Sequence, residues 1–199
     1  MAATPILEND VVRLEPLDAA HHDDLAAAVK LDDLWRTWYT RIPSPERMAD
    51  EIDWRIGLQR EGRMAPWAVV DVRTDRAVGM TTFMDIDEPN RRLEIGSTWI
   101  ARDVQGNGMN PAAKLLLLER AFDALGCIAV EFRTHWHNHQ SRAAIARLGA
   151  KQDGVLRSHT VFPDGHVRDT VVFSIIASEW QAVRLGLEAR LERHRSRGR

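Results

Sequence analysis

The 199 residues are 44% hydrophobic and 28% charged, which is enough apolar material for one well-buried core and too little chain for two ordinary domains. A formal net charge of -2 gives no general attraction to nucleic acid or anionic lipid, although Arg190 to Arg199 form a basic tail that reads as a solvated, frayed end. The single cysteine, Cys127, excludes an intrachain disulfide framework, no apolar run reaches membrane-spanning length, and MAATPILEND lacks the regions of a signal peptide. These features point to a soluble cytoplasmic protein with no nucleic-acid or membrane partner.

Val11 to Leu17 alternates apolar and polar residues as a half-buried strand does. Asp18 is placed to cap a helix running to about Lys30, with Leu25 and Val29 on its inner face. An irregular stretch carrying Trp35, Trp38, Tyr39 and Arg41 leads to a second helix, with Ser44 as cap and Pro45 at its first position. Met48, Ile52 and Ile56 are spaced as the buried stripe of that helix, which should stop near Gly62.

From Met64 the period changes. MAPWAVVDV, AVGMTTFMDI and RLEIGSTWI, separated by short polar breaks, predict an antiparallel meander of three strands. Gln105-Gly106-Asn107-Gly108 then forms a glycine turn before a helix for which Asn110 serves as cap and Pro111 as first residue, with Leu115, Leu118, Phe122 and Leu125 on one face and Gly126 as stop. CIAVEFRT reads as a buried strand, so the unit is a parallel, right-handed crossover.

Asn138 should cap a short helix that ends at Gly149. GVLRSHTVF and VRDTVVFSII are two strands joined by Pro163-Asp164-Gly165. A last helix, with Ser178 and Gln181 as a capping box, should bury Trp180, Val183, Leu187 and Leu191. Trp67 and Trp99 fit strand patterns as core or interface residues. The whole reads as α+β, a mixed and mostly antiparallel sheet with one parallel crossover in its middle.

The glycine turn is the chemically suggestive feature. Glycines that let backbone approach a ligand, followed by the unpaired N–H groups of a helix start, favour a phosphate-bearing ligand. The lysine and hydroxyl of a Walker loop are missing, as is the third glycine of a dinucleotide fingerprint. A turn with no ligand is the bland alternative. His135, His137 and His139 alternate as metal ligands can, but no convincing further ligand accompanies them, and pocket or surface histidines without metal are the better reading.

In order, the meander, the glycine turn, a helix, a strand and then Asn138-x-x-Ser141 with a helix ending Arg147-Leu148-Gly149-Ala150 resemble the GCN5-related N-acetyltransferase (GNAT) family. Within it, the chain is similar to the branch holding the ribosomal-protein N-terminal acetyltransferases of RimJ and RimL type. The family signature falls on Gln105, Gly108 and Asn110, where Asn110 stands in place of the usual Gly or Ala.

The resemblance implies a GNAT-like fold spanning residues 1–199 as a single domain, with a V-shaped splay between its fourth and fifth strands, RLEIGSTWI and CIAVEFRT. It implies acetyl-CoA as co-substrate, with pantetheine along Thr98, Trp99 and Ile100 and pyrophosphate on Gln105, Gly106, Asn107, Gly108, Met109 and Asn110. An amine acceptor would lie against Trp35, Trp38, Tyr39 and Arg41 and would attack the thioester directly, without metal. The relatives' catalytic glutamate falls on Glu94, and many relatives use a tyrosine after the fifth strand as the thiol's proton donor. This chain has only Tyr39, so Asn138 and Ser141 are the donors at hand, with Ser141 preferred. A CoA-binding module without catalysis is the alternative function, and the acceptor's identity and a homodimer stay open.

Overall fold

A computed structural model describes residues 1–197. Its strands are β1 (Leu7–Glu8), β2 (Val12–Pro16), β3 (Met64–Asp71), β4 (Arg76–Asp87), β5 (Arg92–Ile100), β6 (Ala129–His135), β7 (Lys151–Val161) and β8 (Val167–Ile176). They form one sheet in the order β1-β2-β3-β4-β5-β6-β8-β7. Every pairing is antiparallel except β5 with β6, which is parallel. The helices are α1 (His22–Lys30), α2 (Met48–Arg60), α3 (Met109–Glu119), α4 (His139–Ala146) and α5 (Trp180–Arg197).

The meander β3-β4-β5 pairs as its three runs and the short polar breaks between them predict. Every residue of β3 is buried, and Trp67 meets Phe83 of β4 edge to face with ring centres 5.0 Å apart. β1, too short to show a period, was not legible in the sequence. Asp18 caps the first helical turn by accepting from the Ala20 N–H at 2.9 Å, and Leu25 and Val29 are buried as expected.

Four local expectations need correction. The buried stripe of α2 is Met48, Ile52 and Arg55, with Ile56 only partly buried, because Arg55 finds hydrogen-bond partners inside. Ser44 gives its hydroxyl to Glu46 rather than to the helix backbone. The cap of α3 is Gly108, in the left-handed region at φ 96°, so Asn110 and Pro111 lie within the first turn. Asn107 does the side-chain capping, accepting from the Met109 N–H. Ser178 and Gln181 form no box; the turn leading into α5 spans Ala177–Glu179, and the Glu179 carboxylate accepts from the Ile176 N–H. Trp180, Val183, Leu187 and Leu191 are nevertheless buried.

The parallel junction positions everything else. β5 and β6 pair only through Arg92↔Ala129, Leu93↔Val130 and Glu94↔Glu131, and beyond Glu94 they diverge. Backbone on both inner edges of the resulting V is free of ladder partners from the opposite strand.

Candidate active site

A cavity of about 510 Å³ fills the V and reaches from the glycine turn, past β5 and β6, to the segment 37–42. Its floor is an irregular piece of β5. Met80 pairs with Trp99 and Thr82 with Gly96, so Ser97 and Thr98 together face Thr81 alone, and Ser97 takes φ 46°. This is a β-bulge, and it re-aims backbone groups that a regular ladder would consume.

Two cations that neither α2 nor α3 exposes hold the bulge. Arg55 is 1% exposed; its Nη1 donates to Thr82 Oγ1 at 2.7 Å and to Ser97 O at 3.3 Å, while Nε bonds Glu51. Lys114 reaches Thr98 Oγ1 at 2.8 Å and Thr81 Oγ1 at 3.1 Å. With only hydroxyls for company, burial pushes the Lys114 ammonium down to about 7. The sequence reading passed over both residues. The signal for Lys114 was its setting, since Pro111, Leu117 and Leu118 occupy the helical positions beside it.

At the N-terminus of α3, the amides of Gly106, Gly108 and Asn110 have no protein acceptor among the described residues. Gly106 and Gly108 both have positive φ, and a Cβ on Gly108 would stand 3.5 Å from the His194 side chain. α5 therefore lies across the turn. Arg190 and His194 line the cavity there beside Arg102 and Arg147, and the tail expected to fray is helical through Arg197; residues 198 and 199 lie outside the described part. An anion meets unpaired amides, a helix N-terminus and cations in one place, so the residues present fit a polyphosphate.

Of the other residues singled out, Thr98, Trp99, Ile100, Gln105, Asn138 and Ser141 line the cavity. Gln105 spans the mouth of the V, donating to Ile100 O at 2.8 Å and accepting from Gln140 at 3.1 Å. Asn138 caps α4 through the Ser141 N–H at 3.0 Å. Met109 is core and Asn107 is exposed outside the cavity, so those two contribute backbone and capping only.

Glu94 sits where the strands part. It is 6% exposed, and Gly96 makes room for it, since a Cβ there would stand 2.6 Å from Glu94 Oε1. Burial raises its carboxyl to about 7, opposed by Arg133, whose Nε is 3.5 Å from Glu94 Oε2 but which also serves Glu131 and Asp85. A carboxylate near its midpoint at neutral pH can take or give a proton.

Tyr39 and Arg41 line the far end of the cavity. Trp38 is 56% exposed at its rim, with its ring 5.2 Å from His135, 5.7 Å from His137 and 5.7 Å from His166. Trp35 is not part of the cavity; it packs on the core beneath Arg36. The irregular segment thus divides, one tryptophan inward and one at the rim. Among the described residues no group of three potential ligands gathers as a metal site would require, and His135 and His137 instead face an aromatic cluster.

The family model for the acetyltransferase (GNAT) domain matches residues 12–151. The chain belongs to that family. It is 30% identical to a GCN5-related N-acetyltransferase from Brucella melitensis, with a TM-score of 0.86 over 95% of this chain and 86% of that one. It is also 33% identical over 103 residues to the "Putative ribosomal N-acetyltransferase YdaF" of Bacillus subtilis (strain 168), a match covering 52% of this chain and 55% of that protein, about half its length. An acetyltransferase of Salmonella typhimurium that modifies the N-terminal serine of ribosomal protein L7/L12 shares the fold at a TM-score of 0.75 with 18% identity, covering 86% of this chain and 99% of that one. The GNAT fold, with its V between the two parallel strands, is therefore the architecture of this chain; among the described residues no helix is long and apolar enough to cross a membrane.

Proposed function

We propose that this chain, acting as one domain in the cytoplasm, transfers an acetyl group from acetyl-CoA to a primary amine on a protein N-terminus or a small molecule. The observation that carries this reading is the bulged stretch Ser97–Thr98, held open at the head of a cavity that runs from unpaired amides to a buried carboxylate. Acetyl-CoA supplies an acyl group already activated as a thioester. The amides of Gly106, Gly108 and Asn110, with Arg102, Arg147 and Arg190, hold the phosphates, and the edge from Thr98 to Ile100 orients the pantetheine.

Glu94 accepts the proton of the incoming ammonium, directly or through one water, leaving a neutral amine to attack. Backbone N–H groups at the bulge polarise the thioester carbonyl, where a fixed donor is worth more than water because it needs no reorientation. As the C–N bond forms and the C–S bond breaks, Ser141 hands a proton to the departing sulfur and recovers one from the second proton that the new amide nitrogen sheds, relayed through water. The ribosomal acceptors named for relatives make a protein N-terminus a natural first choice.

Purified protein should carry CoA by mass spectrometry and release thiol from acetyl-CoA when amines are supplied. Bound CoA with no turnover across a broad amine panel would leave the non-catalytic CoA-binding reading in its place; no CoA affinity would remove both.

A further inference from the structure

The chain as a whole carries a net charge of -2, yet seven lysine and arginine side chains and a single carboxylate line the cavity. Arg102, Arg147 and Arg190 gather at the glycine turn and Lys114 is tied to the bulge. Arg41, Arg133 and Arg168 remain at the acceptor end, beside Glu94. Arg133 is engaged by Glu131, Asp85 and Glu94. Arg168, on β8, has no ion-pair partner among the described side chains, and its Nε is shut from solvent with no hydrogen-bond acceptor. Burial pushes its guanidinium down, the nearby Glu94 carboxylate pushes it back up without forming an ion pair, and Arg41 and Arg133 push it down again. Arg41 lies over the Phe162 ring at 4.7 Å, likewise without an ion pair among the described side chains.

His135 adds a second buried donor without an acceptor. It is 3% exposed, and its Nδ1 accepts from the His137 N–H at 3.1 Å, so the neutral ring carries its proton on Nε2, which has no partner. Buried donors left without acceptors are costly, and a site that keeps two of them together, with the exposed Arg41 beside them, suits a ligand that supplies acceptors. The cationic excess also works against a bare ammonium, which would enter against Arg41 and Arg168.

Building on the acetyltransfer reading, we propose that the acceptor is a primary amine that also carries a carboxylate, seated by Arg168 and Arg41 with the Nε2–H of His135. The planar guanidinium fork matches a carboxylate in two parallel hydrogen bonds. The ammonium of the same molecule is then left facing Glu94. Two sources supply this chemistry, an acidic first residue of a peptide or a free amino acid.

The test uses two pairs of probes that differ only in the carboxylate. One pair is the amidated tripeptides Asp-Ala-Ala and Asn-Ala-Ala; the other is L-alanine and L-alaninamide. Thiol release from acetyl-CoA and calorimetric binding to the CoA-loaded protein are measured for each. In at least one pair the carboxylate member should be favoured by about tenfold or more, about 1.4 kcal/mol, and that pair identifies the source. Arg168→Gln should bring the ratio within about twofold of unity, mainly through KM. Arg41→Gln, at an exposed position, should lower it as well if the first variant does not fold. Equal handling of both members in both pairs, or a preference that survives the substitutions, overturns the proposal. If no probe turns over, calorimetry decides: tighter binding of the carboxylate member upholds this inference while the acetyltransfer reading fails, and equal or undetectable binding overturns it.

Discussion

Lys114 Nζ lies 2.8 Å from Thr98 Oγ1 and 3.1 Å from Thr81 Oγ1, which places a buried amine of α3 directly against the bulged edge of β5. Arg55 grips the same bulge from α2. The irregular backbone that the proposed chemistry needs is thus fixed by side chains whose burial costs stability.

Lys114 should show that cost in its pH dependence. Its folded-state value, about 7, lies below the unfolded value of 10.5, so between these limits the unfolded chain binds more protons and stability rises with pH. One proton contributes about 1.4 kcal/mol per pH unit. Urea unfolding from pH 7.5 to 9.5 should show wild type gaining relative to Lys114→Met by about that slope; a constant difference between the two would mean Lys114 is not neutral in the fold. The variant should also lose acetyl-CoA turnover, because Thr98 is released.

Gly108→Val meets an obstacle in the backbone. A valine at φ 96° is strained, so the turn would shift and the unpaired amides would no longer converge. Acetyl-CoA affinity should fall by at least about tenfold, roughly one charge-assisted hydrogen bond, in calorimetry on folded variant. Unchanged affinity would detach the phosphates from this turn.

The Ser141 position separates chemistry from folding cleanly. Its backbone N–H caps onto Asn138, and alanine keeps that N–H, so Ser141→Ala should melt like wild type. The loss of a hydroxyl that donates to the leaving sulfur should appear in kcat alone. A kcat within about twofold, under about half a kcal/mol, would place the donor elsewhere.

What the sequence made legible follows from how local the determining forces are. β5 and β8 were readable to the residue because alternation and turn residues define a strand edge without reference to the rest of the molecule. Asn138 as a cap was readable for the same reason. The start of α3 was misplaced because a polar residue before a proline imitates a cap, whereas the real one depends on a positive φ that only the closing turn imposes. Arg55 and Arg168 were invisible as site residues because their meaning comes from groups far along the chain, Ser97 for Arg55 and the neighbouring charges of Glu94, Arg41 and Arg133 for Arg168, while Lys114 showed only as a lysine among apolar helix neighbours and takes its role from Thr98. Trp35 and Trp38 were alike in sequence, and only tertiary packing sends one to the core and the other to the rim.

Glu94 carries the sharpest expectation. Folding takes it almost out of water, and the protonated form gains because Arg133 divides its charge among three carboxylates, so the carboxyl rises from 4.5 to about 7. A raised carboxyl means the folded chain binds the extra proton between these values, so stability from this group is lost as pH climbs from 4.5 through 7. The group is therefore kept against a stability cost, which is what a base needed at neutral pH requires. Turnover should rise between pH 6 and 8 with a midpoint near 7 as Glu94 ionises. Glu94→Gln keeps the shape and removes the titration: kcat/KM should fall by roughly 10²-fold or more, the limb near pH 7 should vanish, and the variant should unfold at higher denaturant than wild type at pH 8. A limb that persists in the variant would move the base to another group or show that the amine reaches the thioester already deprotonated.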